Sequence, residues 1–244
     1  MQAPHDVRRV KEEIRKSIWS RLLAERVALP PFPIEGRIPN FRGAEAAARR
    51  LVESNIFQDA RVVFCNPDTP QRYVREAVLR SGKLLIMASP RLRKGFILVN
   101  PRNIPRAAIP RASTIRGAFE YGRFITLDVP PIDLKVAGSV AVDTYGGRVG
   151  KGGGFSDLEF GILRTLGAID DSAPIVTTVH DLQVVDGVPM LKHDVPVDYV
   201  VTPTRSIKTQ RKYLRPEGIY WDLLGEDYIT SIPILRDLRR FSKK

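Results

Sequence analysis

The 244-residue chain carries 39 Lys and Arg against 27 Asp and Glu, a formal net charge of +12. That excess calls for an anionic partner (nucleotide, phosphorylated metabolite, polyglutamate or nucleic acid), unless it reflects ion pairs spread over an arginine-rich surface. A membrane span, a secretory signal in "MQAPHDVRRVKEEIRK" and an internal disulfide from the lone Cys65 are all excluded, so one α/β domain over 1–244 in a reducing cytoplasm is expected.

Residues 7–28 read as a helix, with Val10, Ile14, Ile18 and Leu22 recurring every four positions. A loop rich in Pro and Gly leads to the helical "AEAAARRLVES", then to the β-branched strand "RVVFCN", where Cys65 reads as a core thiol. "PDTPQRYVREAVLRSG" reads as a helix closed by Gly82, and "KLLIMAS" and "GFILVN" as strands. Five prolines between 101 and 131 leave room only for loops, edge segments and short helices. "DLKVAGSVAVD" reads as one strand ending at Asp143. It is followed by the glycine-rich "GGRVGKGGGFSD", the amphipathic helix "FSDLEFGILRTLG" and the strands "PIVTTVHD" and "DYVVTPT". The last segment, "EDYITSIPILRDLRRF", reads as a helix that Pro233 kinks or starts. Short apolar strands alternating with helices predict a mainly parallel sheet covered on both faces. Ligands gather at the carboxyl ends of such strands. Asp143, His180, Asp181 and residues 202–204 are therefore candidates for one crevice.

The glycine loop carries the most specific chemistry. Six of its twelve residues are glycine, beside Arg148 and Lys151. Successive N–H groups in such a loop form an anion-binding nest, and the helix start after it adds free donors and a positive dipole end. A phosphate cradle and a flexible hairpin or lid are both open readings. Asp157 would hold Mg²⁺ against phosphates or merely cap the helix. The loop is not a Walker A motif, since Gly152 follows Lys151, nor a dinucleotide fingerprint, since Phe155 stands where the last glycine should.

"RVGKGGGFSDLEFGIL" resembles the R-x-G-x-G-x-G-Y-Y-D loop of the 5-formyltetrahydrofolate cyclo-ligase family. "VKEEIRKSIWSRL" is similar to that family's N-terminal K-x-x-x-R helix, "NPDTPQRYVREAVLRSGKLLIMASPRLRKG" to its P-D-E segment, and "HDVPVDYVVTPT" to its last strand. "VTTVHDLQVVD" and "HDVPVDYVVTPTRSI" are similar to the methenyltetrahydrofolate synthetase domain-containing subgroup. Animal members of that subgroup add an RNA-recognition module, which is not expected within these 244 residues.

The resemblance implies a three-layer α/β fold of the sugar-isomerase and CoA-transferase type. It also implies an ATP- and Mg²⁺-dependent ring closure of 5-formyltetrahydrofolate. On that basis Lys11, Arg15, Arg148, Gly150, Lys151, Gly152, Gly153 and Gly154 bind the nucleotide, Arg148 and Lys151 are the catalytic cations, and Asp157 binds the metal. The substrate half departs from the pattern. Thr69 stands at the place of the pterin-orienting glutamate, and Phe155 with Ser156 replaces two tyrosines. The competing expectation is a nucleotide- or RNA-binding protein on the same scaffold, with a degenerate folate site. The two HD pairs, His180–Asp181 and His193–Asp194, fall short of a phosphohydrolase set, and the basic "RDLRRFSKK" reads as a solvated helix end rather than an RNA contact.

Overall fold

The computed structural model describes residues 4–241. Residues 242–244, the end of the basic C-terminal stretch, lie outside it. Helix α1 (Pro4–Ala24) turns Val7, Lys11, Ile18, Trp19 and Leu22 inward, while Val10 and Ile14 are only half-buried. Its inner stripe therefore carries cations among the apolar residues. The helix stops four residues before the expected end. Arg26 takes a left-handed φ of 54°, and the Val27 N–H returns to the Leu22 carbonyl at 3.1 Å, which closes the last turn.

A small ribbon pairs β1 (Ala28–Leu29) with β2 (Asn40–Phe41), and α2 (Ala44–Val52) and α3 (Asn55–Asp59) follow. Next come β3 (Val62–Cys65), α4 (Arg72–Arg80), β4 (Leu84–Ala88) and β5 (Phe96–Val99). The proline-rich stretch yields the short helices α5 (Ile109–Ala112) and α6 (Ile115–Tyr121) and the edge strand β6 (Arg123–Ile125), as its composition predicts. The chain continues through β7 (Leu134–Ala137), β8 (Ala141–Val142), β9 (Arg148–Val149) and α7 (Phe155–Thr165). It closes with β10 (Ile175–Thr178), β11 (Tyr199–Val201), β12 (Ser206–Lys208), α8 (Glu226–Ser231) and α9 (Pro233–Phe241). Pro233 thus starts a second helix rather than kinking one, consistent with its missing N–H.

The eight-stranded sheet has the order β12-β11-β10-β7-β3-β4-β5-β6. The run from β11 to β4 is parallel, and β12, β5 and β6 are antiparallel. The strand period of two splits the core between the faces. Phe64 and Ile86 pack with Phe160, Ile162 and Leu163 of α7 and with the helices α8 and α9. Val63, Cys65, Leu85 and Met87 pack with α2, α4, α5 and α6 on the other side. This is the expected three-layer α/β architecture. Burial pushes the Cys65 thiol up to about 11, as befits a core residue. No described helix is long and apolar enough to cross a membrane.

The strand expected to end at Asp143 is instead two. At Gly138 the N–H goes to the Asn66 side chain (3.2 Å) and the carbonyl accepts from Arg148 (3.0 Å). Side chains thus take the ladder's place, and the chain leaves the sheet to form the β8–β9 hairpin. Asp143 is buried in that hairpin's turn. It accepts the N–H groups of Tyr145, Gly147 and Val188 at 2.7–2.8 Å. A Cβ on Gly147 would come within 2.5 Å of that carboxylate. The first glycines of the rich stretch therefore build a turn, and only the run from 150 to 154 is the loop.

Candidate active site

The carboxyl ends of β3, β4 and β7 open onto one cavity of about 1430 Å³. Asn66, Ser89 and Gly138, the residues immediately after those strands, form part of its floor. Its walls are α1, the 150–154 loop with the first turn of α7, the 66–68 turn, and the segment leading into α8. Buried Arg75 holds the 66–68 turn in place, donating to the carbonyls of Asn66 (2.7 Å) and Asp68 (2.8 Å).

Of the seven Lys and Arg residues that line the cavity, four are held by a carboxylate partner. Lys11 is buried and paired with Asp194, and its burial holds the ammonium below the usual lysine value while Asp194 opposes that shift. Arg15, one turn along α1, donates to the Gly150 carbonyl at 2.7 Å and to Glu12 at 2.8 Å. It thereby ties the helix to the glycine loop. Arg148 is almost fully enclosed. Its guanidinium donates to Asp157 Oδ1 (2.6 Å), the Gly138 carbonyl (3.0 Å) and the Val195 carbonyl (3.3 Å). Lys151 reaches from the loop across the cavity to Asp68 at 2.8 Å.

The loop itself is shaped by glycine. Gly152 and Gly154 take φ values of 104° and 67°, where a side chain would be strained. Gly154 caps α7 with no side-chain acceptor, so the first N–H groups of the helix, at 155–157, remain as donors at the cavity wall. Asp157 accepts Arg148 and the Val195 N–H (3.0 Å), both on Oδ1. Among the described residues no three or more His, Cys, Asp or Glu side chains gather as a metal cage. A single carboxylate is nevertheless enough for Mg²⁺ bound chiefly by phosphates and water, and Oδ2 of Asp157 fits that role.

The other half of the cavity is aromatic and acidic. Phe155 lies against Tyr228 of α8, with ring centroids 5.9 Å apart. Glu159, one turn further along α7, is 5% exposed and accepts the Asn66 amide at 2.6 Å. Burial pushes its carboxyl up to about 7, against the opposing pull of Lys135 and the Asn66 bond.

The structure places Lys11, Arg15, Arg148, Gly150, Lys151, Gly152, Gly153, Gly154, Phe155 and Asp157 around this one cavity. Two expectations differ from what the structure places there. Thr69 is exposed and does not line the cavity, because the 3-10 turn beginning at it points the side chain away, and Asp68 stands there instead. Arg148, which lines the cavity, also fixes α7 and the strand break through its three hydrogen bonds, whereas Lys151 has the single partner Asp68. Asp143, His180, Asp181 and residues 202–204 form no part of the cavity wall. His180 caps a 3-10 turn, and Asp181 accepts both Thr202 (2.7 Å) and Thr204 (2.6 Å). Asn66, Glu159 and Tyr228 were not singled out by sequence reasoning, and Asp194 figured there only as half of an HD pair. Only Glu159 left a legible trace, as a charge on the apolar face of α7.

The profile of the 5-formyltetrahydrofolate cyclo-ligase family matches residues 7–203. The chain belongs to the 5-formyltetrahydrofolate cyclo-ligase family. It is 40% identical over 239 residues to the mouse methenyltetrahydrofolate synthase domain-containing protein, covering 96% of this chain and 64% of that one. The human protein of the same name is 39% identical over 234 residues, covering 94% of this chain and 61% of its own length. The chain therefore spans somewhat less than two thirds of these relatives. The solved structure of Aquifex aeolicus 5,10-methenyltetrahydrofolate synthetase matches with a TM-score of 0.53 at 21% identity, covering 88% of this chain and all of that one. That likeness places the cyclo-ligase fold on this chain. The glycine loop and α7 fall inside the matched family region.

Proposed function

We propose that the protein is an ATP- and Mg²⁺-dependent ligase that closes 5-formyltetrahydrofolate to 5,10-methenyltetrahydrofolate. The observation that carries this reading is the convergence of Lys11, Arg15, Lys151 and the glycine loop on one cavity with an aromatic, acidic second half. At about 1430 Å³ the cavity exceeds the roughly 300–1,000 Å³ usual for one small ligand, which suits two substrates side by side.

The formyl oxygen attacks the γ-phosphorus of ATP and ADP departs. N10 then adds to the activated formyl carbon and loses its proton, the carbon–oxygen bond breaks, and inorganic phosphate leaves with the methenyl ring closed. Little covalent work falls to the protein, so positioning and charge neutralisation supply the rate. Lys151 is the loop cation that can follow the transferred phosphoryl group. Lys11 and Arg15, one turn apart on α1, meet the remaining phosphates, and the free N–H groups at 155–157 add fixed dipoles. Mg²⁺ bound through Asp157 would neutralise phosphate charge. Free, buried Cys65 fits action in a reducing cytoplasm.

The test is spectrophotometric: methenyltetrahydrofolate should accumulate with ATP and not without it. Absent turnover, with Mg·ATP still bound by calorimetry, would overturn the ligase reading in favour of a nucleotide-binding protein on this scaffold.

A further inference from the structure

Asn66, Glu159 and Tyr228 have no role in the chemistry above, and their arrangement has the marks of a built site. The Asn66 amide is fixed in orientation. Its Oδ1 accepts from the Gly138 N–H (3.2 Å) and the Ser156 hydroxyl (3.1 Å), so its Nδ2 must donate, and it does so to Glu159 Oε2. No hydrogen bond within the described residues falls on Glu159 Oε1, yet Glu159 lines the cavity.

Lys135 of β7 is fully buried, lies 4.0 Å from the centroid of the Phe64 ring and has no hydrogen-bond partner among the described residues. It acts on Glu159 electrostatically without a direct ion pair between them. A fold gains nothing from a buried carboxylate and ammonium left so incompletely satisfied, and apolar residues of similar size would serve stability as well or better. Such a pair is intelligible where the carboxylate is kept for a ligand. Beside it, the rings of Tyr228 and Phe155 incline at 42°, and both residues line the cavity.

We propose that Glu159, positioned by Asn66, reads the N–H edge of a flat bicyclic ligand ring, and that Tyr228 with Phe155 forms the wall on which that ring stacks. The ligand class is a fused pyrimidine with a 2-amino group beside a ring N–H, whose two donors match the two oxygens of a carboxylate. On the ligase reading, on which this assignment rests, that ring is the pterin of the folate. The orienting carboxylate then comes from α7 rather than from the position of Thr69, and a phenol comes from α8 rather than from the glycine loop.

The experiment titrates the full chain and its Glu159→Gln and Tyr228→Leu variants with 5-formyltetrahydrofolate, with pterin, and with lumazine, which bears oxygen in place of the 2-amino group. Glu159→Gln should weaken 5-formyltetrahydrofolate by about tenfold to a hundredfold, as loss of a charged hydrogen bond does, and should erase the preference for pterin over lumazine. Tyr228→Leu should weaken both rings alike. Mg·ATP binding and the thermal midpoint report whether either variant has simply lost its fold, and Glu159→Asp, which keeps the charge, should restore part of the preference. Equal binding and equal discrimination by wild type and Glu159→Gln would overturn the assignment while leaving the ligase reading intact. Ring binding with the predicted discrimination, but no methenyl product, would sink the ligase reading and support the assignment. Failure of the wild type to bind any of the three rings would overturn both.

Discussion

Replacing Arg148 with Met tests whether this residue is the structural clamp of the site. Its side chain is 2% exposed, and its three donor nitrogens reach Asp157, the Gly138 carbonyl and the Val195 carbonyl. Met preserves much of the volume and removes every donor. Stripping one partner from a fully buried pair costs about 3–5 kcal/mol. Asp157 is 18% exposed, which moves its share toward the lower bound. The two carbonyls that lose a donor each add about 1 kcal/mol. A loss of about 5 kcal/mol overall corresponds, for a chain of this size, to a fall of about 10–20 °C in melting temperature. Scanning calorimetry with parallel urea melts measures it. Adding Asp157→Leu to Arg148→Met should recover part of the loss, because the stranded charge is gone. The coupling between the two sites should then be at least about 1 kcal/mol. A single-variant loss below about 1 kcal/mol, or strict additivity in the double variant, would refute the clamp.

Gly138→Ala would bring a methyl group within 2.6 Å of Asp68 Oδ2. It should displace that carboxylate from Lys151 and lower stability by about 1–3 kcal/mol, read by urea melts. The pH dependence of stability follows from two buried groups that shift in opposite directions. The Glu159 carboxyl is raised from 4.5 to about 7 and faces Asn66, Lys135, Asp68 and Lys151. Its stabilising contribution is full below pH 4.5 and is lost as pH rises through 7, so Glu159→Gln should remove a downward slope over that window. Lys135 is lowered from 10.5 to about 8 by burial. Its contribution is present above pH 10.5 and is lost as pH falls through 8, so Lys135→Met should flatten unfolding curves on the alkaline side.

Local signals made most of the fold legible. Gly82 and Gly167, with φ values of 75° and 69°, end their helices as expected, and the apolar runs around Val63, Leu85 and Val176 are strands. The break at Gly138 was not legible. "DLKVAGSVAVD" is apolar throughout, and what ends the strand is a side-chain acceptor 72 residues upstream, Asn66. The cations were legible because lysine and arginine beside glycine have few structural roles. Their partners were not. Asp194 lies 183 residues from Lys11 and Asp68 lies 83 from Lys151, separations that no periodicity encodes. Thr69 shows the opposite failure. The position matched in sequence is exposed and outside the cavity lining, while the buried carboxylate that does line it, Glu159, sits on a helix that reads mainly as amphipathic.

Lys11, Arg15, Arg148 and Lys151 are each held by an acid, so on the proposed function a phosphate that meets any of these four exchanges one pairing for another. Lys11 and Arg148 are enclosed, and Arg15 is also bound to the Gly150 carbonyl. The Lys151–Asp68 pair is the looser one, with the lysine side chain 43% exposed. A partly exposed pair is worth about 0–1 kcal/mol, which is small beside what a multiply charged phosphate chain offers a lysine on a glycine loop. Asp68→Asn should therefore free Lys151 at little cost to the fold and remove a negative charge from the phosphate's approach. Affinity for Mg·ATP or a non-hydrolysable analogue should rise by up to about fivefold, while Lys151→Ala should lower it. If Asp68 also touches the second substrate, turnover will fall even as nucleotide binding tightens, and the two measurements separate those roles. Weaker nucleotide binding in Asp68→Asn would show that Asp68 organises the loop for phosphate rather than competing with it, and the exchange argument would fail.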